Sequence, residues 1–191
     1  SADIQLGDFV VVIGCGIMGL LHVELALHRG ATVIASDINH ERIRLARDLG
    51  ARYTIDPTRE DLAERVLECT DGRKAQVVFD TTPLPKVVQD AYACVSNGGK
   101  VVLYSSIHPE AGESKMVPLD AGWMHSWSIK TIGTANSNSR DFVRAATMVS
   151  EGVVSLRPFV SATYHESQVK EAFDKAVEGK SFRVVINFDG M

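Results

Sequence analysis

The chain has 191 residues, with 20 Lys plus Arg against 24 Asp plus Glu, a net charge of −4, 45% hydrophobic residues and 23% charged residues. These values match ordinary globular domains and argue against wholesale disorder, a collagen-like repeat or a bundle of membrane spans. The slight acidity gives no electrostatic case for nucleic acid or an anionic membrane as a partner.

In chain order, Phe9–Ile13 is a short, continuous, β-branched apolar run, the pattern of a strand buried on both faces of a parallel sheet. Glycines follow, then Ile17–Arg29 at helical spacing with Gly30 as a C-terminal stop. Ala31–Ser36 reads as a second strand, His40–Leu49 as a helix ended by Gly50, and Tyr53–Ile55 as a third strand. Arg59–Cys69 has Leu62, Val66 and Cys69 on one face of a helix. Gln76–Asp80 is a fourth strand, and Leu84–Val95 a helix stopped by Asn97-Gly98-Gly99. Lys100–Tyr104 is a fifth strand, and Ser128–Ile132 a sixth, after an irregular stretch from Ser106 to Trp127. Beyond Gly133 the spacing predicts a helix over Asn138–Glu151, an extended Phe159–Tyr164, a helix over Glu166–Val177 and a strand over Phe182–Phe188.

Strands alternating with helices predict an α/β fold, a doubly wound parallel six-stranded Rossmann sheet over 1–135. Residues 136–191 read as a C-terminal α+β tail.

Gly14-Cys15-Gly16-Ile17-Met18-Gly19 is a G-x-G-x-x-G sequence between the first strand and its helix. Gly14 permits the tight turn, Gly16 lets backbone approach a pyrophosphate, and Gly19 lets helix pack on strand. The helix start then offers free N–H groups and a positive dipole end to phosphate. Asp37, eighteen residues past Gly19, closes the second strand. A carboxylate there accepts from both adenosine ribose hydroxyls and repels a 2′-phosphate, which favours NAD over NADP. Asp is also a favoured helix N-cap, so that role stays open for Asp37. Arg42 either flanks the adenine side, which leaves NADP tolerance open, or is a solvated helix residue. Cys15 is either a small packing residue or a thiol activated by the helix start, packing being the simpler reading.

Ligands of open α/β sheets sit outside the carboxyl ends of the strands. Asp80-Thr81-Thr82-Pro83, Ser105-Ser106-Ile107 and Gly133-Thr134-Ala135-Asn136 follow strands four, five and six. Their small hydroxyl residues suit a nicotinamide ribose and leave room for the ring. Val23, where a small residue would be expected, disfavours FAD, and the glycine spacing suits a dinucleotide better than S-adenosylmethionine.

Cys15, Cys69 and Cys94 form neither a C-x-x-C pair nor a disulfide framework, which points to a reducing compartment. No apolar run nears the roughly 20 residues of a membrane span, and Ser1-Ala2-Asp3 opens no signal-like segment, so a cytoplasmic protein is expected. His22, His28, His40, His108, His125 and His165 show no metal-ligand spacing, and each reads as a surface or capping residue. No Y-x-x-x-K pair occurs, and no general base, nucleophile or metal ligand is assigned.

Four segments resemble the medium-chain zinc-type alcohol and polyol dehydrogenases. Gly7–Gly19 resembles the entry to that family's coenzyme domain, and Ala31–Asp37 with Arg42 and Leu49-Gly50-Ala51 its second strand and next helix. Asn97–Val102 resembles its turn before strand five, and Gly179–Ile186 its terminal strand. The resemblance implies NAD(P)-dependent oxidation of an alcohol or polyol to a carbonyl by hydride transfer. It implies that the backbone of Gly16, Ile17 and Met18 holds the pyrophosphate, and that Asp37 and Ile38 take the adenosine ribose and adenine edge. Thr81 and Thr82 would line the adenine side, Ser105, Ser106 and Thr134 the nicotinamide end, and Arg183 would reach the pyrophosphate or remain a solvated strand-edge charge. The family's GroES-like domain, with its zinc ligands and Gly-His-Glu signature, has no counterpart here, so zinc is expected only in that absent domain. The tail would pack on it, and the chain alone would be inactive. A homodimer through the sixth strand, at the sheet edge, is also implied. A non-catalytic nucleotide-sensing module is the alternative; it shares the glycine loop and Asp37 but does not account for Phe159–Phe188.

Overall fold

The computed structural model describes residues 2–108, 114–179 and 181–188. Residues 109–113 of the stretch expected to be irregular, and Lys180 of the terminal-strand segment, therefore lie outside the described residues. The chain divides into two compact units, Ser1–Asn136 and Ser137–Met191.

The first unit alternates β1 (Phe9–Ile13), α1 (Ile17–His28), β2 (Thr32–Ser36), α2 (His40–Asp48), β3 (Tyr53–Ile55), α3 (Leu62–Cys69), β4 (Ala75–Asp80), α4 (Pro85–Cys94), β5 (Val95–Leu103), α5 (Ala121–Ser126) and β6 (Lys130–Gly133). All six strands run parallel in the order β3-β2-β1-β4-β5-β6. This is the doubly wound α/β architecture expected, with β6 at one edge. Val10, Val11 and Val12 of β1 and Val33, Ile34 and Ala35 of β2 are fully buried, which explains their unbroken apolar character. The strand order reverses between β1 and β4, so the crevice for a ligand opens at their carboxyl ends. Register opposes Ile13 to both Ser36 and Asp80, which brings Gly14, Asp37 and Thr81 into one row.

Several boundaries differ from expectation for local reasons. The third helix starts at Leu62, not Arg59, because the Asp56 carboxylate first accepts from the Thr58 amide and hydroxyl, and Asp61 then caps the helix through the Glu64 N–H. β5 starts at Val95, which pairs with Ala75, and a register irregularity carries Asn97 and Gly98 inside the element. β6 starts two residues late because Ser128 sits at φ 52, outside strand geometry. Within the stretch expected to be irregular, Asp120 caps the short α5, whose Trp123 ring lies 5.9 Å from that of Trp127.

The second unit begins with α6 (Ser139–Ser150), started by a capping box between Asn138 and Asp141. A 3-10 turn, Arg157–Phe159, leads to β7 (Val160–His165), and a second, Glu166–Gln168, precedes α7 (Val169–Val177) and β8 (Arg183–Asn187). β7 and β8 pair in parallel, with α7 as the crossover. Phe142 and Val143 of α6, and Phe173 and Val177 of α7, are exposed. Among the described residues, no helix is long and apolar enough to cross a membrane.

Candidate functional site

The site starts where β1 runs out. Gly14 adopts φ +88, and its N–H donates to the Ser36 carbonyl at 2.8 Å. A Cβ on Gly14 would lie 2.7 Å from Thr81 Oγ1 and 3.0 Å from Thr82 Cγ2. A Cβ on Gly19 would lie 1.8 Å from the Gly14 carbonyl oxygen. Both positions therefore exclude any side chain, through conformation and contact at Gly14 and through contact at Gly19. Gly16 differs: its φ is an ordinary −64°, and nothing lies within 4 Å of its Cβ position. Among the described residues no contact requires glycine there, and the open space is a cradle that a side chain would fill. Gly16 is also the N-cap of α1, with no side-chain cap and no acidic residue in the first turn. The first amides of α1, at Ile17 and Met18, thus receive no side-chain cap of the kind that begins α2, α3 and α6, the condition under which a helix start binds an anion.

Asp37 is almost wholly buried. Its Oδ2 accepts from the Cys15 N–H at 2.6 Å, and its Oδ1 from the Asn39 N–H at 2.8 Å. The Arg42 guanidinium lies 3.9 Å from Oδ2. Asp37 is not the helix cap, because Asn39 Oδ1 takes that role, accepting from the Glu41 and Arg42 amides. The carboxylate instead joins the glycine loop to the β2–α2 corner. Cys15 is fully buried, and its thiol is pushed up to about 12, first by burial and then by the Asp37 charge. That removes the reading of an activated thiol and leaves packing.

A cleft of about 290 Å³ opens over this row of strand ends. Gly14, Gly16, Asp37, Ile38, Arg42, Thr81 and Thr82 all line it. Thr81 donates its hydroxyl toward the Gly14 carbonyl at 2.8 Å, and the Thr82 N–H and hydroxyl both donate to Asp80 Oδ1, at 2.9 and 2.8 Å. Asp80 is itself buried, and burial raises its carboxyl above the usual range against the lowering effect of those two bonds. Ile17, Met18, Ser105, Ser106 and Thr134 lie outside this cleft wall. Ser105 and Ser106 follow the end of β5, half-buried and exposed respectively. Thr134 follows β6, where its N–H donates to the Leu103 carbonyl at 3.1 Å. Arg183 opens β8 in the second unit and is exposed.

Sequence reasoning missed two residues here. Ser36 is fully buried and borders the cleft, and among the described residues its hydroxyl has no hydrogen-bond partner. The signal was a hydroxyl closing the otherwise apolar run of β2. His22, expected as a surface or capping residue, is half-buried on α1 between the Phe79 and Tyr104 rings, with centroids at 4.5 and 4.8 Å. Its Nδ1 meets the Met18 carbonyl at 2.6 Å, and burial lowers its pKa despite that bond. Helical spacing could have placed His22 on the buried side of α1, beside Val23 and Ala26. Among the described residues, no three His, Cys, Asp or Glu side chains are grouped to hold a metal ion.

The open backbone at Gly16, the uncapped α1 and the Asp37 carboxylate fit the adenosine and pyrophosphate parts of a dinucleotide. Comparison with known proteins defines the class to which this doubly wound domain belongs. The family model described as zinc-binding dehydrogenase matches residues 18–151. The chain belongs to that family. It is 29% identical to D-arabitol-phosphate dehydrogenase of Enterococcus avium over 97% of this chain and 52% of that protein. It is 31% identical to the NDMA-dependent alcohol dehydrogenase of Amycolatopsis methanolica over 97% of this chain and 51% of that protein. The solved alcohol dehydrogenase of Thermus sp. ATN1 superposes with a TM-score of 0.85 at 21% identity, covering 98% of this chain and 53% of that one. The chain spans about half the length of the curated relatives it matches.

Proposed function

We propose that this chain is the NAD-binding portion of a zinc-type medium-chain dehydrogenase that oxidises an alcohol or polyol to a carbonyl. The observation that carries the reading is the contrast among the three loop glycines: Gly14 and Gly19 are held to glycine by contacts inside the chain, whereas Gly16 faces open space at the uncapped start of α1, where a bound phosphate would lie. The amides of Gly16, Ile17 and Met18 would hold the pyrophosphate. Asp37 would accept from the adenosine ribose, with Ile38 and Arg42 at the adenine edge and Thr81 and Thr82 on the adenine side. Ser105, Ser106 and Thr134 would face the nicotinamide end. Bound NAD supplies the hydride acceptor. The buried negative charge of Asp37 disfavours a 2′-phosphate, while Arg42 offsets part of that charge, so NAD is preferred without NADP being abolished.

No catalytic residue is assigned in this chain, and the zinc would belong to a domain outside this sequence. The exposed apolar residues of α6 and α7 suit packing on such a domain. Pairing of β6 across a two-fold axis would cover the open sheet edge. Calorimetry with NAD and NADP tests the reading: NAD should bind, and more tightly than NADP. Absence of binding by both overturns it.

A further inference from the structure

We propose that Thr81 is a positioning residue for the glycine loop, its hydroxyl holding the Gly14 carbonyl so that the turn presents the first amides of α1 in one fixed arrangement. The proposal rests on the dinucleotide reading above and adds to it a role that the resemblance did not imply for Thr81.

The Thr81 hydroxyl has two carbonyls in reach, Gly14 at 2.8 Å and Ile13 at 3.0 Å. The hydroxyl carries a single proton, and the Gly14 carbonyl is the nearer of the two acceptors. The hydroxyl oxygen also fills the notch that two glycines leave, 2.7 Å from the Cβ position of Gly14 and 3.1 Å from that of Gly19. The hydroxyl comes from an anchored segment, because the Asp80 carboxylate holds the next residue through the Thr82 amide and hydroxyl. On the opposite side, the Gly14 N–H is bonded to Ser36 and the Cys15 N–H to Asp37. The loop is thus held between β2 and the exit of β4, and Thr81 supplies a side-chain bond from the β4 side.

The test compares Thr81→Val, which keeps the β-branched volume and removes the donor, with Thr81→Ser, which keeps the donor, in the full 191-residue chain. Amide hydrogen exchange over residues 14–20 without cofactor should accelerate in T81V and return to the parent rate in T81S. NAD affinity by calorimetry should fall about tenfold in T81V, the scale of one hydrogen bond that orders a binding turn, and lie within about threefold of the parent in T81S. T81A, which adds no methyl at the notch, carries the same comparison where T81V does not fold. Parent-like exchange and affinity without the hydroxyl, or a T81S chain as impaired as T81V, overturns the proposal. A parent chain that binds no dinucleotide overturns the functional reading, whereas the exchange comparison decides the Thr81 link without cofactor.

Discussion

At the ends of β1, β2 and β4, side chains bind the glycine loop from both sides: Asp37 takes the Cys15 amide and Thr81 the Gly14 carbonyl. At the ends of β5 and β6 the joins are mainly backbone continuations, Tyr104 N–H to the Asp80 carbonyl at 3.0 Å and Thr134 N–H to the Leu103 carbonyl at 3.1 Å. Ser106 and Thr134 stand exposed there. One half of the row is thus preorganised by the chain itself, and the other half is scaffold with polar groups on it. A preorganised half pays less ordering entropy on binding, so the adenosine and pyrophosphate side should carry most of the affinity this chain has.

The largest effect should come from Gly19→Ala. Its Cβ would meet a backbone carbonyl at 1.8 Å, which only a shift of α1 against β1 can relieve. A loss of about 3 kcal/mol in stability is expected, with NAD binding abolished, read by thermal denaturation and calorimetry. Asp37→Ala leaves the Cys15 and Asn39 amides without their acceptor, so stability should fall by about 1–3 kcal/mol. The same variant should lose its preference for NAD over NADP. Gly16→Ala separates ligand from fold: stability should stay within about 1 kcal/mol, because φ is ordinary and the space is open, while NAD affinity falls. An unchanged affinity in G16A would break the comparison at its strongest point.

His22 gives a pH signature to the closed half. Its folded pKa lies below the ordinary 6.5, chiefly through burial. The unfolded chain therefore takes up the proton first as pH falls, and this stability contribution is full above about pH 6.5 and declines below it. His22→Phe should flatten the decline in melting temperature between about pH 7 and pH 5. The smallest effects belong to the open half: Ser106→Ala and Thr134→Ala should each change stability by less than about 0.5 kcal/mol and NAD affinity by less than about threefold.

Sheet and helix order was legible in the residues because β1, β2 and β4 are buried apolar runs and Gly30 and Gly50, both at positive φ, close the first two helices. The partners of polar atoms were not. Asp37 and Asn39 are both favoured caps two positions apart, and only the geometry shows that Asn39 caps while Asp37 reaches back to Cys15. The contact between Thr81 and Gly14 spans 67 residues and depends on strand order, which no local pattern encodes. The apolar pattern starts β6 two residues early because it does not reveal the positive φ of Ser128.

The most direct measurement compares ADP-ribose with NAD by calorimetry on this chain. If the affinity resides in the half of the site that the chain builds, ADP-ribose should bind within about threefold of NAD. Binding of NAD more than about thirtyfold tighter than ADP-ribose, a difference of about 2 kcal/mol, would place the dominant contacts at the β5 and β6 ends and contradict the account.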